Sequence, residues 1–311
     1  MSQPLTLAVI GDSAASGVGD SDANGNHFGW GYHLAQAFNE PLIYINASRP
    51  GARSREVLEE QLVKVSVHDP ELVAVVVGGN DLLRSNFSPT VFESNLRETL
   101  IRLVSTGATI MLLELHDPTK IVPMPYLVGR ICRRRVAAVN KATSKMAQDF
   151  GAIMLPTRSL ENIYSRSKWH VDRMHPSKLG HQFIASEFAK MLRDRGFDVG
   201  DVAISPVNNR SRKDSILWML RNGTPWFAKR SIDLFPGLIW LSLAEIFFIT
   251  STKFPQLFTQ MAQIQGKITQ CFQQISERLA PPLPMVEPTL PSGQMGPTPS
   301  NSVSSMRSMA S

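Results

Sequence analysis

Four short segments of this chain carry residues able to do acyl chemistry. The first is Gly11-Asp12-Ser13, which closes the apolar run Leu5–Ile10. Ser13 thus falls just past the end of a buried strand, among the small residues Ala14, Ala15, Ser16 and Gly17. Small neighbours leave room for a carbonyl carbon to reach a hydroxyl. A helix after the strand points backbone N–H groups at developing negative charge. Alone, the tripeptide reads first as a Gly/Ser turn. In the second segment, Asn46–Ala52, Gly51 offers a backbone N–H that no side chain shields. In the third, Val77–Asp81, the amide of Asn80 can be aimed at an oxyanion. The fourth runs from Trp169 to Ser177 and carries Asp172 and His175, three apart, with Pro176 at a helix entrance. A serine–histidine pair needs a third group that fixes the imidazole tautomer and stabilises the imidazolium, and a nearby carboxylate does this. Singly these are ordinary loop residues. In this order, and at strand ends, they point to nucleophilic acyl transfer.

The elements that position them follow from hydrophobic pattern. Short runs rich in β-branched residues recur at Leu5–Ile10, Leu42–Ile45, Leu72–Val77, Thr109–Leu115 and Ala152–Leu155. Between them lie stretches with helical spacing. Glu56–Val67 puts Val57, Leu58, Leu62 and Val65 on one side; Pro89–Thr106 does the same with Val91, Phe92, Leu96, Leu100, Leu103 and Val104. Arg134–Phe150 and Pro176–Arg195 are two further helices. Apolar strands separated by helices predict a parallel sheet covered on both faces, a five-stranded doubly wound α/β domain. Sites in such sheets lie at the carboxyl ends of the strands.

The motifs resemble those of the SGNH (GDSL-type) hydrolases. Gly11-Asp12-Ser13, the segment around Gly51, Gly79-Asn80-Asp81 and Asp172-Arg-Met-His175-Pro match four of that family's blocks, over about residues 5–195. The resemblance implies a three-layer α/β/α fold of the flavodoxin-like type and esterase or lipase chemistry without a cofactor or metal. It implies Ser13 as nucleophile, His175 as general base and Asp172 as its orienting partner. The oxyanion hole would be the N–H of Ser13, the N–H of Gly51 and the side chain of Asn80. Asp12 is expected to bond its own loop. The apolar segment Ile121–Val128, with Met124, Tyr126 and Leu127, is a candidate wall for an acyl chain. Acyl transfer to an alcohol, carbohydrate deacetylation and a non-catalytic membrane-associated binding role are the alternatives.

Other polar residues have simpler readings. His116-Asp117 ends the fourth strand as a loop pair or a substrate contact. His170 and His181 are expected to be solvated or capping. His27 and His33, with Asp20 and Asp22, match no standard metal spacing. The Arg130–Arg135 cluster is expected to be a solvated helix face.

Composition sets the remaining limits. The chain has 311 residues and a net charge of +6, with 43% hydrophobic and 19% charged residues, which excludes a wholly disordered chain. Cys132 and Cys271 are too few for a disulfide scaffold or zinc module. Residues 1–200 carry 22 Lys+Arg against 20 Asp+Glu, and residues 201–311 carry 10 against 6. The excess charge therefore lies mostly in the C-terminal third, and no nucleic-acid partner is expected for the first 200 residues. The start lacks a secretory pattern, which with two thiols suggests a cytoplasmic protein.

Residues 201–280 form a separate, basic and apolar extension. Arg221, Lys229 and Arg230 alternate with Trp218 and Trp226, followed by the apolar run Leu234–Ile249 and a helical stripe from Phe254 to Leu279. The run has 16 residues and contains Pro236, Gly237 and Glu245, too short and too polar for a simple membrane span. Peripheral membrane contact through 205–280 is the expectation. The Pro-, Ser- and Met-rich stretch 281–311 reads as a disordered tail.

Overall fold

The computed structural model describes residues 4–206 apart from positions 23, 85 and 123, together with positions 243 and 270. The expected extension and tail, 201–280 and 281–311, thus lie almost entirely outside the described residues. Five parallel strands form one sheet in the order β2-β1-β3-β4-β5: β1 Thr6–Gly11, β2 Ile43–Asn46, β3 Leu72–Val76, β4 Thr109–Leu113 and β5 Ile153–Leu155. The helices are α1 Gly29–Ala35, α2 Ser54–Glu56, α3 Leu62–Ser66, α4 Gly79–Leu82, α5 Pro89–Val104, α6 Tyr126–Phe150 and α7 Lys178–Arg193. A single π turn, Val57–Gln61, joins α2 to α3. Among the described residues, no helix is long and apolar enough to cross a membrane.

Successive strand residues point to opposite faces, and in β1, β3 and β4 both faces are buried. Leu7, Val9, Leu72, Ala74 and Met111 pack with Trp30 and Leu34 of α1 and Phe188 and Leu192 of α7. Ala8, Ile10, Val73, Val75 and Leu112 pack with Val57, Leu62 and Val65, with Phe92, Leu96 and Leu100 of α5, and with Val136 and Val139 of α6. The result is the expected three-layer arrangement.

Three local departures have physical causes. Val91 and Val104 are exposed, because the apolar stripe of α5 is narrower than its sequence suggests. α6 begins at Tyr126, eight residues before the expected Arg134; its N-cap is Pro125, which offers no side-chain cap to mark the start. Helix α1 has no counterpart in the hydrophobic pattern. It contains Gly29 and Gly31, poor helix formers. Packing holds it: Trp30 stacks on Phe188 with ring centroids 5.0 Å apart, and a Cβ on Gly31 would sit 2.8 Å from Val9.

Candidate active site

Strand order explains why three distant segments meet. β1 lies between β2 and β3, so the loops after all three strands adjoin at one edge. Ser13 follows β1, Gly51 follows β2, and Asn80 follows β3 within α4.

Buried polar contacts fix these loops. Gln61, on the π turn, accepts the Gly11 N–H at 2.6 Å and donates to the Gly11 carbonyl at 2.9 Å. Gly11 itself has φ +147°, and a Cβ there would lie 2.0 Å from the Val76 carbonyl, so only glycine lets the chain turn into Ser13. The Asp12 N–H donates to Val76 O at 3.0 Å, and Asp12 Oδ1 accepts the Ala14 N–H at 3.0 Å. Asp12 bonds its own loop, as expected. Burial pushes its pKa up to about 6.

The loops bearing Gly51 and Asn80 are tied together. Asn80 Nδ2 donates to Ala52 O at 3.1 Å. Asp81 accepts the Ser54 N–H at 3.0 Å and the Ser54 hydroxyl at 2.6 Å, and Asn95 of α5 donates to the same hydroxyl at 3.1 Å. Arg135 of α6 donates to the carbonyls of Leu82 at 2.6 Å and Arg84 at 2.5 Å, holding the end of α4. Arg135 therefore turns inward, unlike the solvated face expected for its cluster. Gln61 and Asn95 were legible in principle as polar residues on otherwise apolar helix faces. Ser54 and Arg135 carried no such signal.

Asp172 and His175 follow β5, at the far edge of the sheet, and a long loop carries them back over β1. Trp169 anchors that loop, donating from Nε1 to Ile163 O at 2.7 Å while its ring lies 4.2 Å from that of His116. The His170 N–H donates to the His175 carbonyl at 2.9 Å, closing the turn. A Cβ on Gly19, in the loop after β1, would lie 2.1 Å from the Pro176 carbonyl, so the two loops press backbone to backbone.

These contacts bring Ser13, His175 and Asp172 into one line. His175 Nε2 lies 2.8 Å from Ser13 Oγ, and His175 Nδ1 lies 2.8 Å from Asp172 Oδ2. An ionised carboxylate only accepts, so Nδ1 carries the proton and Nε2 is left to accept from the Ser13 hydroxyl. Asp172 Oδ1 accepts the N–H groups of Met174 at 2.9 Å and His175 at 3.1 Å. Burial opposes ionisation of Asp172, but the bonds from His170, His175 and the Met174 N–H outweigh it and hold the carboxyl well below the usual range. The backbone N–H groups of Ser13 and Gly51 donate to no acceptor among the described residues, and Asn80 spends one of its two amide hydrogens on Ala52.

The remaining histidines divide. His33 Nε2 pairs with Asp20 Oδ2 at 2.7 Å, and His27 Nδ1 lies 2.6 Å from Ser21 Oγ. Among the described residues no group of His, Cys, Asp and Glu is arranged to hold a metal. His116 is neutral, its pKa pushed down to about 4 by burial. His181 is neither solvated nor a cap but 0% exposed. Its Nδ1 accepts the Trp30 N–H at 3.2 Å and its Nε2 donates to Val18 O at 3.0 Å, pinning the segment after Ser13 to α1.

Burial pushes the His181 pKa down to about 4. The unfolded chain takes up this proton near pH 6.5 and the folded chain does not, so stability falls as pH drops from 6.5 to 4. The expected loss from this group is about 3 kcal/mol. Denaturant titrations of the protein and of His181→Gln at several pH values in this range check it. The variant is expected to show the shallower pH dependence; equal slopes refute the assignment.

Against known proteins, residues 9–183 match the model of the GDSL-like lipase/acylhydrolase family. The chain belongs to that family. It is a hydrolase of carboxylic esters. Over 189 residues it is 29% identical to thioesterase 1/protease 1/lysophospholipase L1 of Escherichia coli (strain K12), spanning 60% of this chain and 83% of that protein. Over 194 residues it is 26% identical to the arylesterase of Vibrio mimicus, spanning 60% and 89%. In fold it is similar to the acetylxylan esterase of Geobacillus stearothermophilus, at a TM-score of 0.50 and 19% identity, covering 65% of this chain and all of that one.

Proposed function

We propose that this hydrolase works through Ser13, His175 and Asp172 by way of an acyl-enzyme, on acyl esters or thioesters of apolar acids. The continuous line from Ser13 Oγ through His175 to Asp172, with 2.8 Å at each step, carries the reading. His175 Nε2 takes the proton of the Ser13 hydroxyl as Oγ bonds to the carbonyl carbon. Negative charge on the former carbonyl oxygen is met by the N–H groups of Ser13 and Gly51 and the free amide hydrogen of Asn80. Protonated His175 then donates to the leaving alcohol or thiol, and the acyl group remains on Ser13. Water enters, His175 takes its proton, and collapse of the second tetrahedral species frees the acid and restores Ser13. Asp172 stays ionised throughout and stabilises the imidazolium.

The thioester arm rests on the Escherichia coli relative, whose name includes thioesterase and lysophospholipase. The apolar acid rests on Ile121, Val122, Met124 and Leu127, half-buried along the segment that leads from β4 into the first turn of α6. Labelling with a fluorophosphonate, mapped by mass spectrometry, tests the nucleophile: the adduct is expected on Ser13. Labelling elsewhere, or none in a protein that hydrolyses esters, refutes the mechanism. A panel of esters and thioesters of rising chain length then reads the pocket.

Asn80→Ala is expected to lower kcat by about 100- to 1000-fold with little change in KM, because the bond to the oxygen strengthens in the transition state. A change confined to KM would assign Asn80 to ground-state binding.

The stretch 205–280, read from sequence alone, supports a peripheral contact with anionic membranes through Lys229, Arg230 and Trp226. The full chain is expected to sediment with anionic vesicles at low salt, and K229Q/R230Q to do so less. Equal sedimentation of both, or of neither, refutes the contact.

A further inference from the structure

Asp172 is faced by two imidazoles. His175 Nδ1 lies 2.8 Å from Asp172 Oδ2, and His170 Nδ1 lies 3.3 Å from the same oxygen. With both N–H groups of the turn on Oδ1, the carboxylate has three hydrogen-bond donors, and the His170 ring adds a longer ion-pair contact that no step of the proposed reaction uses. His170 is well placed for this. Its side chain is only 18% exposed, its backbone N–H is bound to the His175 carbonyl, and its carbonyl accepts the Arg173 N–H at 2.9 Å. A Cβ on Gly19 would lie 3.3 Å from His170 Cβ, so the loop after β1 backs the ring.

We propose that His170 is a positioning residue for the Ser13 centre: it holds the Asp172 carboxylate and withdraws charge from the oxygen that orients His175. The inference rests on the triad reading above. Two effects follow. The carboxylate is held against rotation, which keeps the His175 ring on Ser13. The second imidazole also shares the Asp172 charge, so less of that charge bears on His175. The 3.3 Å contact is the weaker of the two in the resting protein, and such contacts tighten as charge develops on the imidazole. The other ionisable groups acting electrostatically on His175 are Asp12 after β1, His116 after β4 and His181 on α7. The substitutions below leave all three in place.

His170→Phe keeps a planar ring without the donor. His170→Asn keeps an N–H near the Nδ1 position without the ring. His170→Phe is expected to lower kcat roughly tenfold with KM nearly unchanged, as for one lost polar contact to a charged group. It is also expected to move the acid limb of kcat/KM to higher pH, since His175 then faces a less shared carboxylate. His170→Asn is expected to restore both. Simple packing by the ring would give the reverse ranking, with Phe active and Asn impaired. A His170→Phe protein with an unmoved acid limb, or a His170→Asn protein as impaired as His170→Phe, overturns the proposal. The downfield proton resonance of the His175 Nδ1–H bond gives a second reading without turnover, expected to shift in His170→Phe and not in His170→Asn. If His170→Phe fails to fold, His170→Ala replaces it in both measurements. Ser13→Ala in the same assays separates the two levels: an active Ser13→Ala protein defeats the triad reading, whereas an inactive one leaves His170 to stand or fall by its own variants.

Discussion

Ser13→Ala is expected to reduce kcat on any ester substrate by on the order of 10⁶-fold, to a residue of activity set by binding and the oxyanion donors alone. The physical basis is that, among the described residues, Ser13 Oγ is the hydroxyl that His175 Nε2 meets, at 2.8 Å. Ser16, three residues on, points its hydroxyl instead at the Ser13 carbonyl, at 3.1 Å. The fold should be unaffected. The fixed contacts of this turn are made by Gly11, Asp12 and Ala14, and the Ser13 hydroxyl adds only the bond to His175. Thermal unfolding of the variant is therefore expected at the wild-type temperature, with fluorophosphonate labelling lost. Hydrolysis within tenfold of wild type would remove Ser13 from the mechanism.

Asp172→Asn is the second large effect, expected at about 10⁴-fold in kcat. Asparagine keeps an oxygen for the N–H groups of Met174 and His175, but presents an NH₂ group where Oδ2 now accepts the His175 Nδ1–H and faces the His170 ring. Donor then faces donor. His175 escapes by moving its proton to Nε2, where it confronts Ser13 and can no longer accept. The loss should be smaller than for Ser13→Ala, because a fraction of the imidazole in the working tautomer still turns over. Raising the pH should not recover it, since the fault is in the tautomer and not in the charge. Steady-state rates from neutral to alkaline pH check this; full recovery at high pH would mean that Asp172 acts only by tuning the basicity of His175.

The sequence determined the layers, the ends of the strands and which groups are candidates for the reaction. Five strands fall within two residues of their expected bounds: β1, β3 and β4 because a strand buried on both faces must be apolar along its whole length, and the half-exposed edge strand β2 because it keeps β-branched residues. Ser13 and Asn80 stood out as polar residues just past such runs and Gly51 as a glycine in the loop after one, whereas Asp172 and His175 stood out by their spacing of three before Pro176. Tertiary structure decided what holds those groups. The seven-residue helix α1 has weak local preference and exists because Trp30 stacks on Phe188. Asp81, Ser54 and Asn95 come from three separate elements, and their network exists only once β2 and β3 flank β1. His181 is a core residue because one of its nitrogens finds Trp30 and the other Val18, more than 150 residues away in the chain. His170 sits two residues before Asp172, where strand-like alternation would allow it to point anywhere; the closed turn from His170 to His175 aims it at the carboxylate. Hydrophobic pattern is a property of neighbours along the chain, and so the sequence shows it. The partner of a buried polar group is set by which distant backbone arrives beside it, and that is fixed only when the sheet has assembled.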